Sequence, residues 1–423
     1  MNEIANATAL ATGHNLTAPY DVEAVRRDFP ILSREVYGKP LVYLDSGASA
    51  QKPRVVIDTM TEVLENEYAN VHRGVHYLSQ CATDRYEAVR GKVAGLINAA
   101  TEDEIVFTRG GTESINLVAQ TWGRKFLTEG DEVIVTAMEH HANIVPWQLL
   151  GMQQGVKLKV APIDDDGNFL MDEFEKLIGP RTKLVAVTHV SNVLGTVLPL
   201  KEIARIAHAN GALLLVDGCQ GVTHLPTDVQ DLDVDFYVFS GHKLYGPNAI
   251  GVLYGKMKHL VDMPPYQGGG DMIAHVTFEK TTFKEPPLRF EAGTPPIVET
   301  IGLGAAIDYV QALGIENIAA HEHDLTVYAM ERLGEVDGLN IHGKAPGKTS
   351  IVSFSMDQAH PHDIGTIIDR AGIATRTGHH CAEPLMDRLE VSSTVRASFG
   401  LYNTTAEIDA LVEALQTVKE IFG

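Results

Sequence analysis

Lys243 stands in Phe239-Ser240-Gly241-His242-Lys243-Leu244-Tyr245-Gly246-Pro247, after an apolar run at 236–239 that reads as the end of a buried strand. A partly desolvated amine is a nucleophile, so this lysine is a candidate covalent anchor. A single lysine of this kind is more commonly a solvated loop residue. Its company changes the reading. Asp217 closes an apolar strand at 213–216, and Gly110-Gly111-Thr112-Glu113 turns from strand 105–107 into a helix. The glycines let a ligand approach, and the helix start offers free N–H groups at its positive end. An amine for an aldehyde, an acid for a ring nitrogen and a seat for a phosphate are the parts of a pyridoxal 5'-phosphate (PLP) site. Gln220, just beyond Asp217, can donate to a phenolic oxygen. Blander readings exist for each piece: Thr112 as a simple helix cap, and Asp217 as a cap for the turn at Gly218.

Cys381 lies in Arg376-Thr377-Gly378-His379-His380-Cys381-Ala382-Glu383-Pro384, polar surroundings that suit an exposed, reactive thiol. Cys219, beside Val216 and Asp217, and Cys81, placed at the start of a helix, read as packing residues. Two histidines, His140 and His141, follow strand 133–135. Adjacent histidines point apart and rarely share a metal, but one can stack on a planar ring and move protons. A zinc reading also arises at His379-His380-Cys381, without paired ligand spacing to support it. His189 and Asn192 follow strand 184–187. Arg396, a charge inside the strand-like run Thr394-Val395-Arg396-Ala397-Ser398, needs a partner, and a substrate carboxylate held by its fork would serve.

These residues hang on a regular framework. Strands at 105–107, 133–135, 158–161, 184–187 and 213–216 alternate with helices at 113–127, 144–154, 171–178 and 200–209. Strands at 236–239 and 250–254 follow. The rhythm indicates βαβ units and a mostly parallel seven-stranded sheet in an α/β fold. Residues 262–296, rich in Pro and Gly, read as a long functional loop. The stretch 298–333 reads as helical, and strands at 339–343 and 350–355 with helices at 361–371 and 405–422 make a smaller α+β C-terminal domain. The expected division is a disordered tail at 1–19, a large PLP-binding domain at 36–297, and a small domain from 20–35 with 298–423.

The bulk numbers set limits. With 34 basic and 55 acidic residues in 423, the net charge is −21, which opposes nucleic-acid or anionic-membrane binding. No apolar run reaches membrane-spanning length, and Met1 to Ala18 lacks the pattern of a signal peptide. Three cysteines do not make a disulfide framework, and a reducing cytoplasm fits them.

The ordered series Gly110-Gly111-Thr112-Glu113, Glu139-His140-His141-Ala142-Asn143, Asp217-Gly218-Cys219-Gln220, Ser240-Gly241-His242-Lys243 and Arg376-Thr377-Gly378-His379-His380-Cys381 resembles the cysteine desulfurases. These are class V aminotransferase-like enzymes of the fold-type I PLP-dependent transferases. The resemblance runs from about Tyr20 to the end. The compact Arg-Thr-Gly-His-His-Cys segment and His72-Arg73-Gly74-Val75-His76 resemble the SufS type (group II). The resemblance implies that Lys243 bonds the PLP aldehyde and His140 stacks on its ring. It gives Asp217 the ring nitrogen, Gln220 the phenolic oxygen, and Thr112, Ser240 and His242 the phosphate. Thr294 would reach the phosphate of a partner subunit in a homodimer. Asn192 and Arg396 would bind the substrate carboxylate, Arg376 would support the cysteine segment, and Cys381 would accept sulfur from L-cysteine. A SufE-like or SufU-like protein would carry that sulfur to iron–sulfur cluster assembly. The rivals are a selenocysteine lyase on the same scaffold, another class V reaction such as transamination, and a non-enzymatic persulfide or metal carrier. Two departures from the family stand out: Gly111 replaces a second threonine common in relatives, and Pro296 stands where relatives often have asparagine.

Overall fold

The structure, a computed structural model, describes residues 20–423. The tail expected at 1–19 lies outside the described residues. The seven expected strands form one sheet, in the order Ile105–Thr108, Gly251–Gly255, Phe236–Ser240, Leu213–Asp217, Thr182–Thr188, Glu132–Thr136 and Lys157–Ala161. Gly251–Gly255 runs antiparallel to both its neighbours, and the other pairs are parallel. Six strands therefore end at the same edge. The central ones are buried on both faces, as continuous runs such as Leu184-Val185-Ala186-Val187 require. Helices cover both faces, and each buried Val, Leu or Phe there contributes about 1.5–3 kcal/mol.

A second core is built from the antiparallel sheet Leu339–His342, Ile351–Met356, Thr394–Ser398 and Arg376–Gly378, with helices Ile315–Gly334, Pro361–Arg370 and Thr405–Phe422. Val42 and Leu44 pack in this second core, through the parallel pair Val42–Tyr43 and Ile373–Ala374. Val25, Phe29 and Leu32, and most of helix Ile297–Leu313, pack in the first.

Three local expectations need correction. The stretch 298–333 is two helices, Ile297–Leu313 and Ile315–Gly334, broken at Gly314, whose φ of 82° no ordinary helix residue adopts. Cys81 does not open a helix; it lies inside Tyr77–Leu96. The loop at 262–296 contains a hairpin, Ile273–Val276 with Thr281–Phe283. Among the described residues no helix is long and apolar enough to cross a membrane, and no group of His, Cys, Asp and Glu forms a metal site, so the zinc reading has no ligand set there.

Candidate active site

Five strand ends and two segments of the second core meet at the carboxyl edge of the large sheet, where ligands bind in open α/β folds. They enclose a cavity of about 380 Å³. Thr112, His140, Asn192, Asp217, Gln220, Ser240, His242, Lys243, Arg376, Cys381 and Arg396 all line it. Thr294 does not. It is exposed, on the loop before helix Ile297–Leu313.

One end of the cavity is built for an anion. Helix Gly111–Val118 starts after Gly110 with no side chain capping it. Thr112 is its second residue, so the simple cap reading of Thr112 is incorrect. The Gly111 N–H donates to Ser240 Oγ at 2.9 Å, which leaves the Ser240 hydroxyl hydrogen free to donate. Burial, helped by Lys243 and Lys52, holds His242 down at about 4, so its ring is neutral near pH 7. Gly111 also has a local reason. A Cβ there would lie 2.6 Å from Cys219 Sγ, so a larger residue could not stand beside that cysteine.

The middle of the cavity suits a flat heteroaromatic ring. His140 Nδ1 accepts the Ala142 N–H at 3.0 Å, so the neutral ring carries its hydrogen on Nε2. Burial, then Lys243, lowers His140 to about 4. Asp217 Oδ1 accepts the Cys219 N–H at 3.0 Å, so the acid caps its own turn and also lines the cavity. That turn is tight. A Cβ on Gly218 would stand 2.0 Å from the Tyr237 ring. Burial and then Asp217 push Cys219 up to about 12, which leaves it an inert thiol. His189 is withdrawn from the cavity, buried against the Tyr237 hydroxyl at 3.0 Å.

The mouth belongs to two arginines and a cysteine. Arg376 and Arg396 face each other across adjacent strands. Like charges so placed repel, and Asp45 lies between them. It accepts from Arg376 at 3.1 and 2.8 Å and from Arg396 at 3.3 Å. Arg396 is buried, donates to the Asn192 carbonyl at 2.8 Å, and keeps Nε without a hydrogen-bond partner among the described residues. Arg396 also lines the cavity, so its guanidinium is a charge available there to an incoming carboxylate. Asn192 Nδ2 donates to the His380 carbonyl at 2.8 Å.

Cys381 is exposed. Its carbonyl accepts the His141 N–H at 2.7 Å, and His141 Nε2 accepts the Glu383 N–H at 3.0 Å. His380 Nε2 meets the Thr394 hydroxyl at 2.8 Å. His380 and Cys381 both have left-handed backbones, φ 54° and 55°. Two successive residues without glycine in this region cost energy that the surrounding bonds must offset. The segment is therefore pinned.

The segment 45–52, readable in the sequence only as the end of a short strand at 41–45 and given no role there, ties these parts together. Besides Asp45, the Gly47 carbonyl accepts from Gln220 at 2.7 Å, and the His242 carbonyl accepts from Ala50 N–H at 3.0 Å and Lys52 Nζ at 3.1 Å. An acid closing the strand at 42–43 was the one available signal. His141 was read only as an alternative to His140.

Beneath His140 lies the fully buried Glu139, which accepts from Thr136, Asn143 and the Thr188 N–H. Burial outweighs these donors and raises it to about 7. The folded form then holds a proton that the unfolded chain releases above about 4.5, so stability present at low pH is lost as pH rises through about 7. Glu139→Gln is expected to lower stability overall but to flatten this fall by a few degrees of Tm, read from melting curves between about pH 5 and 8. An unchanged slope would show that Glu139 stays ionised.

The family model for aminotransferase class-V matches residues 42–411. A probable cysteine desulfurase of Mycolicibacterium paratuberculosis is 52% identical over 95% of this chain, and the chain spans 58% of that relative's length. A cysteine desulfurase of Dickeya dadantii is 54% identical over 96% of this chain and 98% of its own. Among solved structures, the cysteine desulfurase CsdA of Escherichia coli matches with a TM-score of 0.90 and 40% identity, over 96% of this chain and 100% of its own.

Proposed function

The chain belongs to the aminotransferase class-V family, and from that premise we propose that it is a PLP-dependent cysteine desulfurase, converting L-cysteine to L-alanine with a persulfide on Cys381. The observation that carries this reading is one cavity lined by an amine, a carboxylate, a thiol and a guanidinium: Lys243, Asp217, Cys381 and Arg396.

The residues suit PLP on their own chemistry. The uncapped start of helix Gly111–Val118, with Thr112, Ser240 and His242, offers donors for a phosphate. His140 offers a neutral ring face, Asp217 an acid for a ring nitrogen, Gln220 an N–H for a phenolic oxygen, and Lys243 an amine for the aldehyde. When bound, PLP supplies an electron sink for the carbanion at the substrate Cα. The chain supplies the rest. Arg396 and Asn192 would hold the substrate carboxylate, Lys243 would take the Cα proton, and Asp217 would keep a proton on the ring nitrogen of the bound cofactor. Cys381 Sγ forms a bond to the substrate sulfur as the carbon–sulfur bond breaks. Its thiol proton is released, and protons from the site complete alanine and the persulfide.

The pinned, exposed Cys381 segment supports the SufS type, in which a SufE-like or SufU-like acceptor comes to the persulfide and feeds iron–sulfur cluster assembly. Exposed Thr294, outside its own cavity, supports a homodimer in which it reaches the partner's phosphate. Three free cysteines and strongly acidic character support a cytoplasmic protein. The two cores support a division into a large cofactor-binding domain and a small domain.

The test is alanine formation from L-cysteine by purified enzyme with thiol reductant, repeated with the acceptor and with L-selenocysteine. Alanine from L-cysteine, faster with acceptor, is expected. Turnover of L-selenocysteine alone would move the assignment to a selenocysteine lyase, and a rate unmoved by its acceptor would remove the SufS type.

A further inference from the structure

Behind Gln220, which lines the cavity, runs a buried polar chain whose further members the reaction above leaves unused. Gln220 donates through Nε2 to the Gly47 carbonyl, and its Oε1 lies 3.3 Å from His224 Nε2. His224 Nδ1 lies 2.7 Å from Glu322 Oε2, which also accepts the Ser350 hydroxyl at 2.8 Å. His224 ends the short helix Gly221–His224, and Glu322 comes from helix Ile315–Gly334. Their side chains are 2% and 0% exposed. A titratable pair this deep is costly to keep, and replacing it with apolar residues would often be no worse for stability.

Donor and acceptor rules fix where its hydrogens are. Oε1 of Gln220 only accepts, so His224 Nε2 must carry a hydrogen. Two arrangements allow this: an imidazolium facing a carboxylate, or a neutral ring whose Nδ1 accepts from a protonated Glu322. The remaining tautomer, with hydrogen on Nδ1 alone, would set two lone pairs 3.3 Å apart. The pair in turn fixes the carboxamide. Turned over, Gln220 would point Oε1 at the Gly47 carbonyl and its NH₂ at the Nε2–H of His224, so both contacts would be lost. In the observed orientation Nε2 spends one hydrogen on Gly47, and no described residue takes the second. Gln220 lines the cavity.

We infer that the buried His224–Glu322 pair is a positioning device for the site: it locks the Gln220 carboxamide with one N–H presented to the cavity, for the phenolic oxygen of PLP. The inference rests on the PLP reading above. His224 and Glu322 touch neither cofactor nor substrate; they act through Gln220.

The test compares His224→Met, which has no donor, with His224→Gln, whose amide can still donate to Gln220 Oε1. Apoenzymes are titrated with PLP by fluorescence, and the absorption spectra of the loaded proteins are recorded. His224→Met is expected to weaken PLP binding about tenfold, the scale of one lost hydrogen bond, and to shift the cofactor absorption maximum. His224→Gln should restore most of both. In a Gln220→Leu background His224→Met should cost nothing further, because the two act on one contact. Additive losses in that cycle, an unshifted spectrum, or equal behaviour of the Met and Gln variants would overturn the inference while leaving PLP binding intact. Failure of the wild type to take up PLP would overturn the PLP reading itself. If His224→Met does not fold, neutron diffraction from wild-type crystals decides: a deuteron on His224 Nε2 supports the inference, and one on Nδ1 alone overturns it.

Discussion

Lys243→Ala is expected to abolish turnover of L-cysteine, lowering the rate by at least about 10³-fold, the scale for removing a group that both reacts and moves protons. Lys243 ends the 3-10 turn Gly241–Lys243 that follows strand Phe236–Ser240, with the preceding carbonyl held by Ala50 and Lys52. That loop keeps its bonds when the side chain is truncated, so the variant should fold. It should still bind PLP, because the phosphate donors are unchanged, but borohydride should no longer fix the cofactor to the chain. Melting temperature, cofactor content and borohydride trapping separate this outcome from unfolding. Residual turnover within tenfold of wild type would mean that another amine does the work, and Lys52, close by and lowered to about 8 by burial, would be the first suspect.

Cys381→Ala is the second large effect. Alanine formation from L-cysteine should again fall by at least about 10³-fold, because no other thiol can take the sulfur. Cys219 lines the same cavity, but burial pushes it up to about 12 and Ser240 lies 3.7 Å from its Sγ. Cys81 is placed on helix Tyr77–Leu96, and it is not among the residues lining the cavity. PLP content and melting temperature should match wild type, since Cys381 is exposed and its segment is held through its backbone and through His141, Asn192 and Thr394. A variant that keeps making alanine at the wild-type rate would leave the cofactor chemistry standing and take the sulfur-accepting role from Cys381.

The parts of the site that follow strands were legible before any coordinates. Asp217, Lys243, His140 and Asn192 each sit just past a short apolar run, and the carboxyl edge of a parallel sheet gathers such positions without further information. The seven strands were legible for the same reason, though their order was not: short apolar runs do not say which neighbour each will take. What stayed hidden depends on distant pairing. Arg396 could be seen to need a partner, but Asp45, some 350 residues away in the chain, became its partner only when the segment after strand Val42–Tyr43 joined the second core beside strand Thr394–Ser398. The break at Gly314 was concealed by apolar residues on both sides that continue a helical period. Cys81 was misplaced because Tyr77 and Leu78, exposed apolar residues, hid the true start of its helix. Gln220 was read correctly as a donor, but the pair that orients it, His224 and Glu322, joins two helices from different parts of the chain.

The central claim is that sulfur from L-cysteine ends on Cys381, and mass spectrometry of the enzyme after brief exposure to L-cysteine, without acceptor or reductant, tests it most directly. The expected result is a gain of one sulfur atom located on the peptide that carries Cys381, with one alanine released per sulfur retained, and no gain in Cys381→Ala. Alanine released with the sulfur free as sulfide, and Cys381 unmodified in the wild type, would contradict the account.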